Sequence, residues 1–89
     1  EALRMGLVNR VVAEDDLRAS VRETAEQISA NAPLTIHSVK QTVREALKDP
    51  ADRDLATIDR LVEACLTSSD CEEGYQAFIQ KRRPEYKGR

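Results

Sequence analysis

Aromatic side chains and glycines are scarce in this sequence, and each scarcity excludes a class of protein. Only 3% of the 89 residues are aromatic, and tryptophan is absent. The three glycines, Gly6, Gly74 and Gly88, stand apart, so there is no glycine-rich loop for a nucleotide phosphate. Without aromatic mass the core must be built from Leu, Ile, Val and Ala, which is marginal at this length. We therefore expect further sequence or another subunit to cover part of the apolar surface.

Long apolar runs and an excess of one charge are also missing. No uncharged stretch approaches the roughly 20 apolar residues that cross a bilayer, so the sequence predicts no membrane helix. Fourteen basic and sixteen acidic residues give a net charge of -2, which indicates neither nucleic acid nor an anionic membrane as a partner. An apolar fraction of 40% beside 34% charged residues fits a soluble helical protein.

Cysteine and histidine are too few for a metal site. The chain has two cysteines, Cys65 and Cys71, and a single histidine, His37. The spacing of these residues does not match that of zinc ligands. No secretory signal precedes them, so we expect reduced thiols in a cytoplasmic protein. His37 has no acid or nucleophile close in sequence and is expected to be a surface or partly packed residue. The chain also starts at Glu1 without an initiator Met, and we expect it to be a piece of a longer protein.

The residue pattern predicts a mainly α fold, with four amphipathic helices after one short strand. The strand is placed near residues 8–12, where β-branched residues follow a glycine. The helices are expected over residues 14–30, from Pro33, after Pro50, and from about Ser69 to about Arg82. Asp49 is predicted to cap the third helix, and Ser69 with Glu72 forms a capping-box pattern for the fourth.

Each predicted helix carries one apolar stripe, which indicates the side that becomes buried. The stripes are Leu17, Val21, Thr24 or Ala25, and Ile28; Ile36, Val39, Val43, and Ala46 or Leu47; Leu55, Ile58, Val62, Cys65 and Leu66; and Tyr75, Phe78 and Ile79. Gly74 interrupts the fourth helix. It either permits the close approach of another backbone or a ligand, or it is a tolerated weak spot.

The last nine residues are strongly basic. Five Lys and Arg residues against Glu85 give +4 over residues 81–89, and residues 1–80 consequently carry -6. Such a cluster at a helix end is either solvated, as the helix dipole prefers, or part of an anion site. Lys81 follows Phe78 by three residues, so on one helical face the pair could contact the phosphorylated and apolar parts of a single ligand. The paired acids Glu72 and Glu73 are explained by their place at a helix start.

The most specific pattern is Asp-x-x-Glu-Gly-x-x-Ala-Phe-x-x-Lys-Arg at residues 70–82. It is accompanied by Gly6-Leu7-Val8-Asn9, Val11-Val12, Ala32-Pro33, Lys40, Ser69, Pro84, Tyr86 and Gly88-Arg89. Together these residues resemble the carboxyl-terminal third of the enoyl-CoA hydratase/isomerase (crotonase) family. The chain departs from the family pattern at Arg83 and at Tyr86, where Phe is common.

The resemblance implies an architecture, a ligand and an assembly. Residues 1–12 would end a spiral β/α core, and residues 13–89 would form a helical trimerisation and lid region with a basic tail. Phe78 would line the acyl or pantetheine end of a coenzyme A thioester, and Lys81 would approach its nucleotide phosphates. The partners implied are the acyl-CoA substrate and copies of the same chain, as a trimer or a dimer of trimers, with no cofactor.

The resemblance also implies an activity. The expected reaction is hydration of a 2-enoyl-CoA in fatty acid oxidation, with an oxyanion hole and catalytic acids that precede this stretch. Glu72 and Glu73 receive no catalytic role, and the 89 residues alone are expected to be inactive. The alternatives are an enoyl-CoA isomerase, another acyl-CoA reaction on the same fold, or a non-catalytic helical module whose basic tail binds an acidic protein.

Overall fold

Four α-helices separated by short breaks form the regular secondary structure. The computed structural model describes all residues, 1–89. Helices α1 and α2 span Leu17–Ser29 and Pro33–Ala46, and α3 and α4 span Leu55–Leu66 and Ser69–Gln80. Short 3₁₀ helices at Glu14–Asp16 and Pro50–Asp52 precede α1 and α3. The prediction of a mainly α chain with four helices is confirmed.

The strand predicted near residues 8–12 does not form. A strand needs a neighbour whose backbone satisfies its donors and acceptors, and this chain contains no second strand. The segment lies along α1 instead. Arg10 Nη1 is 3.2 Å from Ser20 Oγ and 3.6 Å from the carboxylate of Glu23. The β-branched residues therefore favour a strand conformation, but no strand within residues 1–89 is available to pair with them.

Helix α3 is capped by Asp54, and the predicted cap at Asp49 is wrong. The Thr57 amide donates to Asp54 Oδ1 at 2.9 Å, and the Thr57 hydroxyl donates to Oδ2 at 2.6 Å. These hydrogen bonds hold the pKa of Asp54 below its usual value. Asp49 makes no side-chain cap, because Pro50 begins only a single 3₁₀ turn and α3 starts afterwards.

Helix α4 starts at Ser69 as predicted, but its cap is the preceding serine. The Cys71 amide donates to Ser68 Oγ at 3.1 Å. The predicted capping box is therefore displaced by one residue. Ser69 is left free for another partner, and its hydroxyl donates to the backbone carbonyl of Arg89.

The loop between α2 and α3 is held by side chains that satisfy helix-end groups. Arg53 donates to the carbonyl of Lys48 at 3.2 Å and to that of Ala46, the last residue of α2, at 3.1 Å. Glu45 accepts 2.8 Å hydrogen bonds from Lys48 Nζ and the Asp54 amide, and both lower the pKa of its carboxyl group. These contacts lie at one end of the most extensive helix–helix packing in the chain, which is between α2 and α3.

Within residues 1–89 the covered sides of α2 and α4 are polar or small, and their apolar stripes stay largely open. Ser38 is the most buried residue of α2, whereas Val39, Val43 and Leu47 are exposed. In α4 the buried residues are Asp70 and Ala77. Periodicity identifies the apolar side of a helix, but neighbouring elements decide which side this chain covers.

The molecule is a thin, open layer of 43 × 43 × 17 Å. Its radius of gyration is 17.0 Å, against about 12 Å for a compact domain of this length. Its accessible surface of 7761 Å² exceeds the about 5,200 Å² typical of a folded monomer of this mass. Only three residues are buried, so most apolar stripe residues remain accessible. None of the four helices combines the length and apolarity that crossing a membrane requires.

Candidate ligand-binding site

The end of α4 presents the two residues predicted to contact a ligand. Phe78 lies in the last turn of the helix, and 83% of its surface is exposed. Lys81 is the first residue beyond the helix, which ends at Gln80 rather than at the predicted Arg82. The helical spacing that placed Phe78 and Lys81 on one face therefore does not apply to Lys81. A change of backbone conformation sets the direction of its side chain.

Lys81 adopts the left-handed helical conformation, with φ 53° and ψ 37°. The Arg82 amide donates to the Ala77 carbonyl at 3.1 Å, and the Lys81 amide donates to the Phe78 carbonyl at 3.2 Å. This bonding pattern is the Schellman motif, whose left-handed position usually holds glycine. Lys81 is the one residue other than glycine with a positive φ in the chain. The helix thus ends sharply at a lysine that reverses the chain.

After this reversal, residues 82–89, here called the tail, run back along α4. Arg82 forms a two-pronged ion pair with Glu73, with Nη1–Oε1 and Nη2–Oε2 distances of 2.5 and 2.8 Å. Glu73 Oε1 also accepts the Glu85 amide at 2.8 Å. The hydrogen bonds from Arg82 and Glu85 lower the pKa of Glu73 to about 2, and Glu73 in turn raises the pKa of Arg82. Glu73 therefore stays ionised and holds the start of the tail.

Asp70 holds the end of the tail. Its two carboxylate oxygens accept the amides of Lys87 and Gly88, each at 2.7 Å, and its own amide donates to the Arg89 carbonyl at 3.2 Å. Gly88 has φ +75°, so the two successive amides turn toward one anion. Only 3% of Asp70 is exposed. The contacts that Asp70 and Glu73 make with residues 82–89 are here called the tail latch.

Gly74 provides space for the aromatic ring of the tail. A Cβ atom at Gly74 would lie 3.1 Å from the Tyr86 hydroxyl oxygen and 3.6 Å from the ring atom Cε1. A close approach to this glycine is present, but not by either of the groups expected for it. The approaching group is a side chain of the same chain, neither a backbone segment nor a ligand.

The tail latch gives α4 two different sides. Asp70, Glu73 and Ala77 face the tail, and Ala77 is only 1% exposed. The apolar residues Phe78, Tyr75 and Ile79 remain open. A helix that covers its charged side with its own chain therefore offers its apolar side to something else.

The basic cluster separates into one paired and four unpaired cations. Arg82 is held by Glu73, whereas no carboxylate lies within ion-pairing distance of the other four, Lys81, Arg83, Lys87 and Arg89. The unpaired cations are fully available to an anion. Arg82 is not, because Glu73 neutralises its charge and Gln80 also accepts from its Nε at 2.7 Å.

The sequence of the whole chain matches one family model. Residues 1–89 match the model described as enoyl-CoA hydratase/isomerase. The chain belongs to the enoyl-CoA hydratase/isomerase family. The family resemblance drawn from the residues 70–82 is thereby confirmed, while the position of this stretch within a longer protein stays a prediction.

Relatives and solved structures agree with the family. The chain is 42% identical over 93 residues to carnitinyl-CoA dehydratase of Salmonella typhi, covering 100% of this chain and 36% of that protein. The crystal structure of enoyl-CoA hydratase from Bacillus anthracis superposes with a TM-score of 0.88 at 32% identity, over 99% of this chain and 34% of that one. For enoyl-CoA hydratase of Mycobacterium tuberculosis H37Rv the values are 0.85 and 30%, over 99% and 35%. This chain thus spans about a third of these relatives.

The remaining candidate side chains, which are the histidine, the two cysteines and the paired acids, do not form a second site. His37 is exposed and makes no side-chain hydrogen bond. Cys65 and Cys71 are free thiols, and no three Cys, His, Asp or Glu side chains converge as metal ligands. Glu72 accepts only from Gln76, at 2.8 Å, and Glu73 is committed to Arg82.

Sequence reasoning missed the roles of Asp70 and Glu73. Glu73 was explained by its place at a helix start, and Asp70 was noted only as part of the family pattern. Their partners lie 9 to 18 residues later and are largely backbone amides, which carry no sequence signal. The available clue was Gly88, since a glycine shortly after Pro84 permits the turn that aims two amides at Asp70.

Proposed function

We propose that these residues are the carboxyl-terminal helical part of an enoyl-CoA hydratase-like enzyme that contacts coenzyme A through Phe78 and Lys81. In this proposal residues 1–12 end the spiral core, and residues 13–89 form the lid and trimerisation region of a cytoplasmic protein. The reaction is addition of water across the double bond of a 2-enoyl-CoA in fatty acid oxidation. Removal of water, which the name of the carnitinyl-CoA dehydratase describes, is the same chemistry in reverse.

The conformation of Lys81 carries the proposal. A non-glycine residue in the left-handed region costs roughly 1–2 kcal/mol, and such outliers concentrate at functional positions. Glycine at this position would end the helix without that cost. A lysine that is both strained and free of any acidic partner is best explained by an anion outside the chain. The CoA nucleotide provides such an anion.

Phe78 supplies the apolar half of the same contact. An acyl-CoA combines a charged nucleotide with a long, largely uncharged pantetheine and acyl arm, so its site needs both cations and apolar surface. The exposed ring of Phe78 lies three residues before Lys81, on the side of α4 that the tail leaves open. Burial of such a ring against a ligand is favourable because it removes apolar area from water.

The remaining chemistry belongs to the proposed upstream part of the enzyme. Backbone amides there form the oxyanion hole that stabilises the thioester enolate, and carboxylates there move the proton and activate water. The 89 residues alone are therefore expected to be inactive. No cofactor is needed, because the conjugated thioester makes the β-carbon electrophilic toward water and takes up the charge as an enolate, which is then protonated at the α-carbon.

The open apolar stripes support the proposed assembly into a trimer or dimer of trimers. Large apolar side chains are exposed along all four helices, including Leu17, Val43, Leu66 and Phe78. The accessible surface in excess of a compact monomer is about 2,500 Å², which is the scale of an obligate interface. Contacts with the upstream core and with neighbouring copies would together cover this area.

A thermal-shift titration of the complete enzyme with an acyl-CoA tests the proposal. We expect crotonyl-CoA to raise the melting temperature, and Lys81→Ala to weaken that shift by reducing affinity about tenfold, the equivalent of one charge-assisted hydrogen bond. Lys40→Ala is the matched control, because Lys40 is also exposed and unpaired but lies on α2. It should leave the shift unchanged.

The same preparation separates the alternatives. Absence of any shift with wild-type protein would contradict CoA binding and favour the interaction module, whose basic tail would instead bind an acidic protein. Loss of the conjugated enoyl thioester absorbance on incubation with a 2-enoyl-CoA indicates hydration. Its appearance from a 3-enoyl-CoA, without water uptake, would indicate the isomerase.

A further inference from the structure

We propose that the tail latch positions Lys81 for the CoA phosphates, with Glu73 and Asp70 acting as positioning residues that never touch the ligand. This inference rests on the proposed CoA contact of Lys81. It assigns a role to two acids for which the sequence pattern predicted no contact with the tail. It also separates Arg82 from the anion site, although Arg82 is the immediate neighbour of Lys81.

The backbone geometry at Lys81 requires support from elsewhere. The left-handed conformation of a lysine is disfavoured, so the chain reversal persists only when contacts beyond it hold both arms. One arm is the helix itself. The other arm is the tail, which Glu73 binds at two places. Glu73 accepts hydrogen bonds from the side chain of Arg82, the residue after Lys81, and from the Glu85 amide. Breaking this grip releases the reversal toward ordinary conformations that aim Lys81 differently.

The second grip lies farther along the tail. Asp70 accepts two backbone amides and is almost fully buried, while the Arg89 carbonyl answers its own amide. The two acids lie three residues apart on one side of α4, so they fasten the tail at two points. A tail that is held at two points cannot rotate about either one. The position of Lys81, immediately before the tail, is thereby fixed.

The charge distribution assigns different tasks to the neighbouring cations. Arg82 is bound by both oxygens of Glu73, so binding a phosphate with Arg82 would require breaking that ion pair. Lys81 has no such competitor. The latch therefore uses the guanidinium, which suits a two-pronged carboxylate contact, and leaves the ammonium for a phosphate.

Equilibrium binding of two ligands to the complete enzyme tests this division. Butyryl-CoA carries the nucleotide phosphates, whereas butyryl-pantetheine lacks the nucleotide and keeps the acyl arm. We expect Glu73→Gln to raise the Kd of butyryl-CoA about three- to tenfold and to leave that of butyryl-pantetheine unchanged. Glu72→Gln is the matched control, since it is the same substitution one residue earlier and outside the latch. Asp70→Asn is a second latch variant.

Non-additivity identifies the route of the effect. If the latch acts through Lys81, the double variant Glu73→Gln with Lys81→Ala should bind butyryl-CoA no more weakly than Lys81→Ala alone. Fully additive losses, or equal losses for both ligands, would overturn the positioning role and leave only a structural one. A normal Kd in both Glu73→Gln and Asp70→Asn would overturn it as well.

The outcome for Lys81→Ala keeps the two proposals distinguishable. If Lys81→Ala weakens butyryl-CoA binding but neither latch variant does, the CoA contact stands and the latch inference fails. If the latch variants weaken binding while Lys81→Ala does not, the tail serves the ligand through another cation, and the role given to Lys81 is wrong.

Discussion

At the scale of single residues, ionised carboxylates decide the conformation of the tail. Asp70 and Glu73 each bind two or more donors, and most of those donors are backbone amides. A carboxylate offers two acceptor oxygens, so replacement by an amide leaves one amide donor facing another. For the buried Asp70 such a mismatch costs about 1–3 kcal/mol. The structure therefore depends on charge at these two positions, of which Asp70 is buried and Glu73 is partly exposed.

Glu73 makes the folded state sensitive to acid. Its pKa falls from 4.5 in the unfolded chain to about 2 in the folded one, first through the hydrogen bond from Arg82 and then through the Glu85 amide. A lowered folded-state pKa adds stability that is fully present above pH 4.5 and is lost as the pH falls toward 2. We expect the melting temperature of Glu73→Gln to approach that of wild type over this interval, measured by circular dichroism.

The pH experiment has an internal reference. Glu72→Gln changes the same functional group but breaks no ion pair, so its difference from wild type should vary less over the same interval. A constant difference between Glu73→Gln and wild type from pH 5 to pH 2 would contradict the lowered pKa of Glu73.

At the scale of elements, helix positions were predictable and helix orientation was not. Pro33 begins α2 as expected, since proline is pre-organised for a first helical turn. The cap of α4 was misplaced by one residue because Ser68 and Ser69 are of the same type and compete for one position. The cap of α3 was misplaced because Pro50 begins a separate 3₁₀ turn, and α3 starts only after Asp54. The strand failed for a different reason. Pairing is a long-range property that β-branched residues alone do not supply.

The sequence identifies the candidate residues of the site but not the backbone geometry that surrounds them. A local pattern identifies Phe78 and Lys81 as candidates, because their residue types and spacing lie in the sequence. The left-handed turn at Lys81 was not visible, since lysine ordinarily avoids that conformation. Nor was the latch, because contacts to backbone amides depend on where the tail folds, not on which side chains it carries.

The contact between α4 and the tail predicts a conditional effect of Gly74→Ala. An alanine within a helix normally gains about 1 kcal/mol over glycine. Here the new methyl group would meet the Tyr86 hydroxyl at 3.1 Å, so the ring must shift and part of the gain is lost. In a Tyr86→Phe background that oxygen is absent and the nearest ring atoms lie at ordinary distances. We expect Gly74→Ala to be about 0.5–1 kcal/mol more favourable there.

Denaturant unfolding of the complete enzyme, as wild type, the two single variants and the double variant, measures the difference. Equal effects of Gly74→Ala in both backgrounds would show that the Tyr86 hydroxyl does not limit the space at Gly74. Ala77→Gly is a suitable comparison, because it removes a methyl group from the same covered side of α4.

At the scale of the whole molecule, the exposed surface exceeds what so small a chain can sustain alone. Three buried residues provide little of the apolar burial that offsets conformational entropy. We expect residues 1–89, expressed separately, to self-associate or to lose cooperative unfolding. Sedimentation velocity with thermal unfolding monitors both. A monodisperse monomer that melts in one sharp transition would contradict this expectation.

The two-sided construction of α4 has a consequence for how such proteins diversify. The side that faces the tail is covered by residues 82–89, so its side chains are constrained by the contacts that maintain the fold. The outer residues Tyr75, Phe78 and Ile79 are exposed and are not constrained by comparable contacts within residues 1–89. Substitutions at those outer positions can therefore accumulate during evolution while the tail latch, and with it the shape of α4 and the tail, stays intact.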